Sequence, residues 1–271
     1  MQIKTIVLIG SGRVATHFAE LFVQREDLSL VQIYARRPEA LGRLAQRLGQ
    51  EVSYTNKLSD ICLTADYYLF ALSDGALPSV WSEMPQTDGV WLHTAGSVAL
   101  ETMTQYHSES GVLYPLQTFS LEQDIDWSCV PLYIEGANPS TLEAVRTLAL
   151  SISPTVYETT SSQRIALHLG AVLACNFSNH LIALAQAWLV RNALPSDSLM
   201  PLIRATMNKL ECMSAHEAQT GPAHRGDHPS LETHLSLLND LPQLQQLYML
   251  ISESIMQASV QVATNSPLTL K

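Results

Sequence analysis

Basic side chains are scarce. The 271-residue chain carries 15 Lys and Arg against 25 Asp and Glu, a formal net charge of −10. A general nucleic-acid binder shows a basic balance or a basic patch, so this deficit argues against one. It leaves an anionic small ligand open, because that needs only a local group of Arg and N–H donors. Cysteine is sparse too. Cys62, Cys129, Cys175 and Cys212 lie far apart with no C-x-x-C pair, which argues against a zinc ribbon or a thioredoxin-like site. Charged residues make up 15% and apolar residues 46%, the balance of a packed globular chain rather than a disordered one. The opening "MQIKTIVLIG" lacks a signal-peptide layout, so the cytoplasm is the expected compartment.

Charge vanishes altogether from residues 165–190, "IALHLGAVLACNFSNHLIALAQAWLV". That length suffices for a bilayer. Yet His168, Asn176, Asn179 and His180 fall inside it, and such groups are costly in lipid unless paired. The expectation is therefore no membrane span, but a helix covered on all sides by a domain core or a second copy of the chain.

The first half alternates short apolar runs with helical spacing. Strand-like runs stand at 4–10, 30–37, 66–72, 89–95, 111–116, 131–136 and 155–159, with helical patterns at 13–26, 38–49 and 138–152. This alternation predicts an α/β fold, a Rossmann-type doubly wound parallel sheet. From Ser161 onward the period is helical, with helices expected at 161–191, 196–219, 229–240 and 242–263. The reading is an N-terminal nucleotide-binding domain, 1–158, followed by an all-α domain, 159–271.

"IVLIGSGRVA" holds Gly10-Ser11-Gly12-Arg13-Val14-Ala15, a G-x-G-x-x-A between a strand and a helix. The first glycine permits a tight turn, the second lets backbone approach a pyrophosphate, and Ala15 lets helix and strand pack closely. The free N–H groups of the helix start then face the phosphates. An NAD site usually places a carboxylate at the end of the second strand. Here Arg36 and Arg37 stand there instead, and guanidinium groups suit a 2′-phosphate, so NADP is the expected cofactor. "ALSDGAL" and "LHTAGSV" end later strands in small polar residues, which makes Ser73, Asp74, Thr94, Ala95, Gly96 and Ser97 candidates for the nicotinamide-ribose side. Asp74 reads equally well as a helix cap.

A Rossmann half followed by a helical half resembles the 6-phosphogluconate dehydrogenase-like superfamily, which includes pyrroline-5-carboxylate reductases and F420-dependent NADP reductases. More narrowly, "GSGRVA" (10–15), "YPLQTFS" (114–120), "HLGAVLACNFSNHL" (168–181) and "TGPAHRGD" (220–227) resemble Rossmann-like proteins with a DUF2520 C-terminal domain. The resemblance implies this fold and NADP binding, and supplies no substrate. In the wider superfamily the helix entering the second domain often carries a catalytic Lys. This chain has none there.

It offers His168 and Asn176 as catalytic candidates, about 80° apart around a helix turning ~100° per residue. A histidine titrates near neutrality and so suits a general acid. His180 continues the polar stripe. Gln117, Thr118 and Ser120, in the loop after a strand, are candidate substrate contacts; satisfying the loop backbone is the equal alternative. In "TGPAHRGDHP" (220–229) the glycines, prolines and Asp227 serve to break and restart a helix, whereas Arg225 is left over. The expectation is that Arg225, from its own or the partner subunit, binds a substrate carboxylate or cofactor phosphate; the alternative is an Arg225–Asp227 brace. His216, His224 and His228 do not have the i, i+4 spacing of a helical zinc pair, so no metal is expected. Together these point to an NADP(H)-dependent oxidoreductase for a small, anionic carbonyl, imine or hydroxy substrate. The alternative is a non-catalytic NADP-binding sensor or scaffold. The uncovered helical half implies a homodimer formed by the C-terminal domain.

Overall fold

The computed structural model describes residues 3–49 and 52–263. Eight strands form one sheet in the order β3-β2-β1-β4-β5-β6-β7-β8. They are β1 (Lys4–Ile9), β2 (Leu28–Tyr34), β3 (Ser53–Thr55), β4 (Tyr67–Phe70), β5 (Val90–His93), β6 (Ser110–Pro115), β7 (Leu132–Gly136) and β8 (Val156–Glu158). β1 to β6 run parallel. The expected all-parallel sheet needs one correction: β7 pairs antiparallel to β6, and β8 runs parallel to β7. The reversal follows from the connection, since the chain leaves β6 by a loop rather than by a crossover helix.

Apolar runs explain the centre of the sheet. Ile6, Val7, Leu8 and Ile9 are all fully buried, as a strand covered on both faces requires. On one face Ile6 and Leu8 pack against α1 (Arg13–Val23) through Phe18 and Phe22, and α2 (Pro38–Leu48) adds Leu41 and Leu44. On the other face Val7, Ile9, Tyr68 and Phe70 meet Trp81 of α3 (Leu77–Glu83) and Met103 of α4 (Glu101–Thr104). α5 (Pro139–Ile152) starts on Asn138, whose side chain accepts from Thr141 N–H.

After β8 the described chain is helical. Thr160 and Gln163 form a reciprocal capping box that starts α6 (Ser161–Ala171). A π-helical stretch, Val172–Phe177, joins it to α7 (Ser178–Arg191). By length and composition alone this 31-residue helix could cross a membrane. It carries a row of exposed large apolar side chains at four-residue steps: Ile165, Leu169, Leu173, Phe177 and Leu181.

The chain divides into two compact units between Leu181 and Ile182. The second unit contains α8 (Met200–Lys209), α9 (Pro222–Arg225), α10 (His228–Leu237) and α11 (Pro242–Ala263). The helix expected over 196–219 is shorter: a 3₁₀ turn at Ser196–Leu199 leads into α8, which ends at Lys209. Local side-chain bonds compete with the helix beyond it. Ser214 donates from N–H and Oγ to Glu217, and Glu217 N–H donates back to Ser214 Oγ.

Candidate functional site

The turn after β1 is built for close backbone approach. Gly10 has φ +138°, and a Cβ there would stand 2.2 Å from the carbonyl oxygen of Ala71, at the end of β4. Only glycine fits. The Ala15 methyl lies 3.4 Å from the same position, so a small residue at 15 lets α1 sit close to the strand. Gly12 occupies the N-cap of α1 without a side-chain cap, and no acidic residue stands in its first turn. The N–H groups and positive dipole end of α1 thus have no acidic side chain in their own turn and no side-chain cap. A Cβ on Gly12 would meet nothing within 4 Å, so space for a phosphate lies open beside Ser11, Arg13 and Val14. These features fit a dinucleotide pyrophosphate.

Arg36 and Arg37 follow β2 and are exposed. Neither guanidinium makes a hydrogen bond or ion pair among the described residues. The loops after β4 and β5 are tied together, because the Ser97 hydroxyl donates to the Asp74 carboxylate. Asp74 opens a 3₁₀ turn and caps nothing, so the capping alternative is set aside. Ser73 is exposed, whereas Thr94, Ala95 and Gly96 are buried.

What buries that second loop comes from α6. Arg164 is fully buried; its Nε donates to Glu135 Oε1 at 2.6 Å, and its Nη atoms donate to the carbonyls of Ala95 at 2.7 Å, Gly96 at 3.0 Å and Val98 at 2.7 Å. Ser161 Oγ donates to Glu135 at 2.7 Å and accepts from Leu100 N–H at 2.9 Å. One turn along α6, His168 lies on Gly96, where a Cβ would stand 2.5 Å from His168 Nδ1. That atom lies 3.0 Å from the Tyr114 hydroxyl. Burial pushes the Tyr114 phenol up from its ordinary range, with Arg164 opposing. Beneath the loop, His93 Nδ1 accepts from Ala95 N–H at 3.2 Å. Burial first, then the Arg164 charge, pushes His93 down to about 3.

Asn176 lies in the π stretch, exposed and without a hydrogen-bond partner among the described residues, and His180 is exposed further along. After β6, the Gln117 side chain accepts from Thr118 N–H at 2.8 Å, and both residues are exposed. The loop is held to α1 by His17 Nε2, 2.8 Å from the Ser120 carbonyl. In the second unit, α9 is one helical turn between Gly221 (φ +108°) and Gly226 (φ +67°). Asp227 caps α10, accepting from Ser230 N–H and from Ser230 Oγ at 2.7 Å. Arg225 is exposed and forms no ion pair with Asp227 within 4.0 Å, but its charge, after the bonds from Ser230, helps hold the Asp227 carboxyl below its ordinary range. His224 Nδ1 lies 2.9 Å from Ser259 Oγ. No group of three or more metal-ligating side chains occurs among the described residues.

Sequence reasoning missed Tyr114, Glu135, Ser161, Arg164 and His93. Tyr114 heads the "YPLQTFS" segment, and Arg164 is the last charged residue before the uncharged stretch; those were the available signals.

Residues 130–255 match the family described as a domain of unknown function, DUF2520. A "putative NADP oxidoreductase" from Bacteroides fragilis is 35% identical in sequence, with TM-score 0.85, over 94% of this chain and 98% of that one. The chain belongs to the DUF2520 family. A protein from Thermotoga maritima shares the fold at 20% identity and TM-score 0.69, over 95% of this chain and 99% of that one. A pyrroline-5-carboxylate reductase from Coxiella burnetii does so at 13% identity and TM-score 0.55, over 98% and 100%. No curated protein matches the sequence. These structural likenesses place this DUF2520 member in a Rossmann-like fold that oxidoreductases use.

Proposed function

We propose that the protein is an NADP-dependent oxidoreductase acting on a small anionic compound with a carbonyl, imine or hydroxyl group. The observation that carries this reading is the turn at Gly10–Val14: an uncapped helix start, an open approach over Gly12, and a glycine pressed against the end of β4. Arg36 and Arg37, unpaired among the described residues at the end of β2, favour a 2′-phosphate. Ser73, Asp74 and the Thr94–Gly96 segment supply the remaining cofactor contacts. The cofactor, when bound, supplies hydride chemistry. This chain's part is to hold the cofactor, orient the substrate through Gln117, Thr118 and His180, and move a proton through His168, with Asn176 as a polar partner; Arg225, from its own or the partner subunit, is the proposed ligand for a substrate carboxylate or cofactor phosphate. The Bacteroides fragilis relative, by its name, supports the reaction class.

We also propose that two copies associate through the exposed apolar faces of the helical region, and that the protein works in the cytoplasm. The test of function is NADPH consumption over a panel of keto acids, imines and aldehydes. Turnover on one class supports the reading. Tight NADPH binding without turnover on any of them makes the protein a sensor or scaffold.

A further inference from the structure

The loop Ala95–Val98 and the helix α6 are fastened to each other at two successive turns. Arg164 takes three carbonyls of the loop, and His168 seats its ring on Gly96. The ring is therefore fixed in place by a glycine that has no room for a side chain. Its Nδ1 faces the Tyr114 hydroxyl at 3.0 Å, and the two rings stand edge to face, 6.0 Å apart at 80°. Tyr114 is buried, while His168 is half-buried, and His168 Nε2 has no hydrogen-bond partner among the described residues. One nitrogen is thus engaged inside the fold and the other is left available.

We propose that Tyr114 is a positioning residue for His168, holding Nδ1–H through its phenol oxygen so that Nε2 is the atom that gains and loses the catalytic proton. The assignment rests on the oxidoreductase reading and adds to it the atom through which protons pass. A histidine orients its reactive nitrogen by the bond its other nitrogen makes. Burial keeps Tyr114 a neutral phenol, so its oxygen offers lone pairs without itself becoming the acid. In the reducing direction, a bound reduced nicotinamide would supply the hydride and its electron pair to the carbon of a carbonyl or imine, and would itself be left oxidised. The π pair moves onto the oxygen or nitrogen, which takes the proton from Nε2 of the His168 imidazolium. The neutral imidazole keeps Nδ1–H on Tyr114 and is reprotonated from solvent. The substrate class this serves is one whose product needs a single proton on a heteroatom.

The test is Tyr114→Phe in the full-length protein, with His168→Ala and the double variant beside it. Two readouts are needed: steady-state NADPH oxidation, and ¹⁵N-detected tautomer populations of His168 in the cofactor-free protein. The expected result is a kcat lower by about tenfold or more with KM changed less than ~3-fold, as for loss of an orienting partner. The Nδ1–H tautomer gives way to Nε2–H in the same variant. The double variant loses no more than His168→Ala, which should fall by about 10²–10⁴. A Tyr114→Phe protein with unchanged kcat and an unchanged tautomer overturns the proposal and leaves the oxidoreductase reading standing. A wild-type protein that binds NADPH and turns over nothing in the panel overturns both. Should Tyr114→Phe fail to fold, the wild-type tautomer populations decide alone: Nδ1–H as the main neutral form of His168 supports the proposal, and Nε2–H as the main form overturns it.

Discussion

Arg164 and Glu135 form a fully internal ion pair, Nε to Oε1 at 2.6 Å, between the first turn of α6 and strand β7. The guanidinium is 0% exposed and the carboxylate 6%. Every other Arg164 donor with a described partner goes to the Ala95–Val98 loop or to Ser161. The pair therefore fixes a loop and a helix through one side chain.

Glu135→Gln leaves a buried guanidinium without its counter-charge. Removing one partner of a buried pair costs about 3–5 kcal/mol. We expect a loss of that size in urea unfolding, together with weaker NADPH binding because the loop loosens. An unfolding midpoint equal to wild type contradicts the assignment of this pair.

His93 makes the protein sensitive to acid. Its folded pKa is pushed down to about 3 from an ordinary value of 6.5. The unfolded chain therefore binds a proton that the folded one refuses, and stability falls as pH drops below about 6.5 towards 3. The full effect is on the order of 5 kcal/mol. His93→Asn keeps an acceptor for Ala95 N–H and removes the titration. Its stability curve should be flatter over that window; a parallel curve would show that another group sets the acid response.

The proposed preference for NADP rests on Arg36 and Arg37. NADPH should bind at least ~10-fold tighter than NADH, since charge-assisted bonds to a phosphate contribute about 1.5–3 kcal/mol each. The double variant Arg36→Ala/Arg37→Ala should lose most of that preference. Titration by nucleotide fluorescence measures it, and equal affinities in the wild type contradict it.

Arg225 has no ion-pair partner within 4.0 Å among the described residues, so Arg225→Ala should change stability by less than ~1 kcal/mol. Ligand affinity should fall by about tenfold, the loss of one charged hydrogen bond. A variant that melts early yet binds fully would reassign the loop to a structural role.

The exposed row from Ile165 to Leu181 should lie in an interface between copies, burying more than about 2,000 Å². Leu169→Asp combined with Phe177→Asp should convert a dimer to a monomer in sedimentation velocity. A wild-type protein that is monomeric at all concentrations removes the proposal.

The strand and helix pattern of the first half was legible because strands buried on both faces read as unbroken apolar runs, as at 6–9. The glycine turn after β1 was legible because steric needs restrict Gly10 so sharply. β3, three residues long, gave too little pattern to find. The early end of α8 depended on a Ser214–Glu217 exchange that propensity cannot weigh against a helix. Arg164 and Tyr114 were hidden for a different reason. Their roles come from partners 69 and 54 residues away, and no spacing in the sequence records which strand end a helix will meet. Arg225 was visible as an unexplained charge, and it is still unpaired with Asp227 once the loop is folded.

The π stretch has a consequence for the apolar row. In an α-helix each four-residue step advances about 40° around the axis. Four such steps from Ile165 to Leu181 would carry a row of side chains about 160°, almost to the opposite side. A π turn closes its hydrogen bonds one residue later and so winds less per residue. Val172–Phe177 sits in the middle of the row and unwinds part of that drift. What would have been a spiral becomes closer to a straight rail, which a flat neighbour can follow along its length.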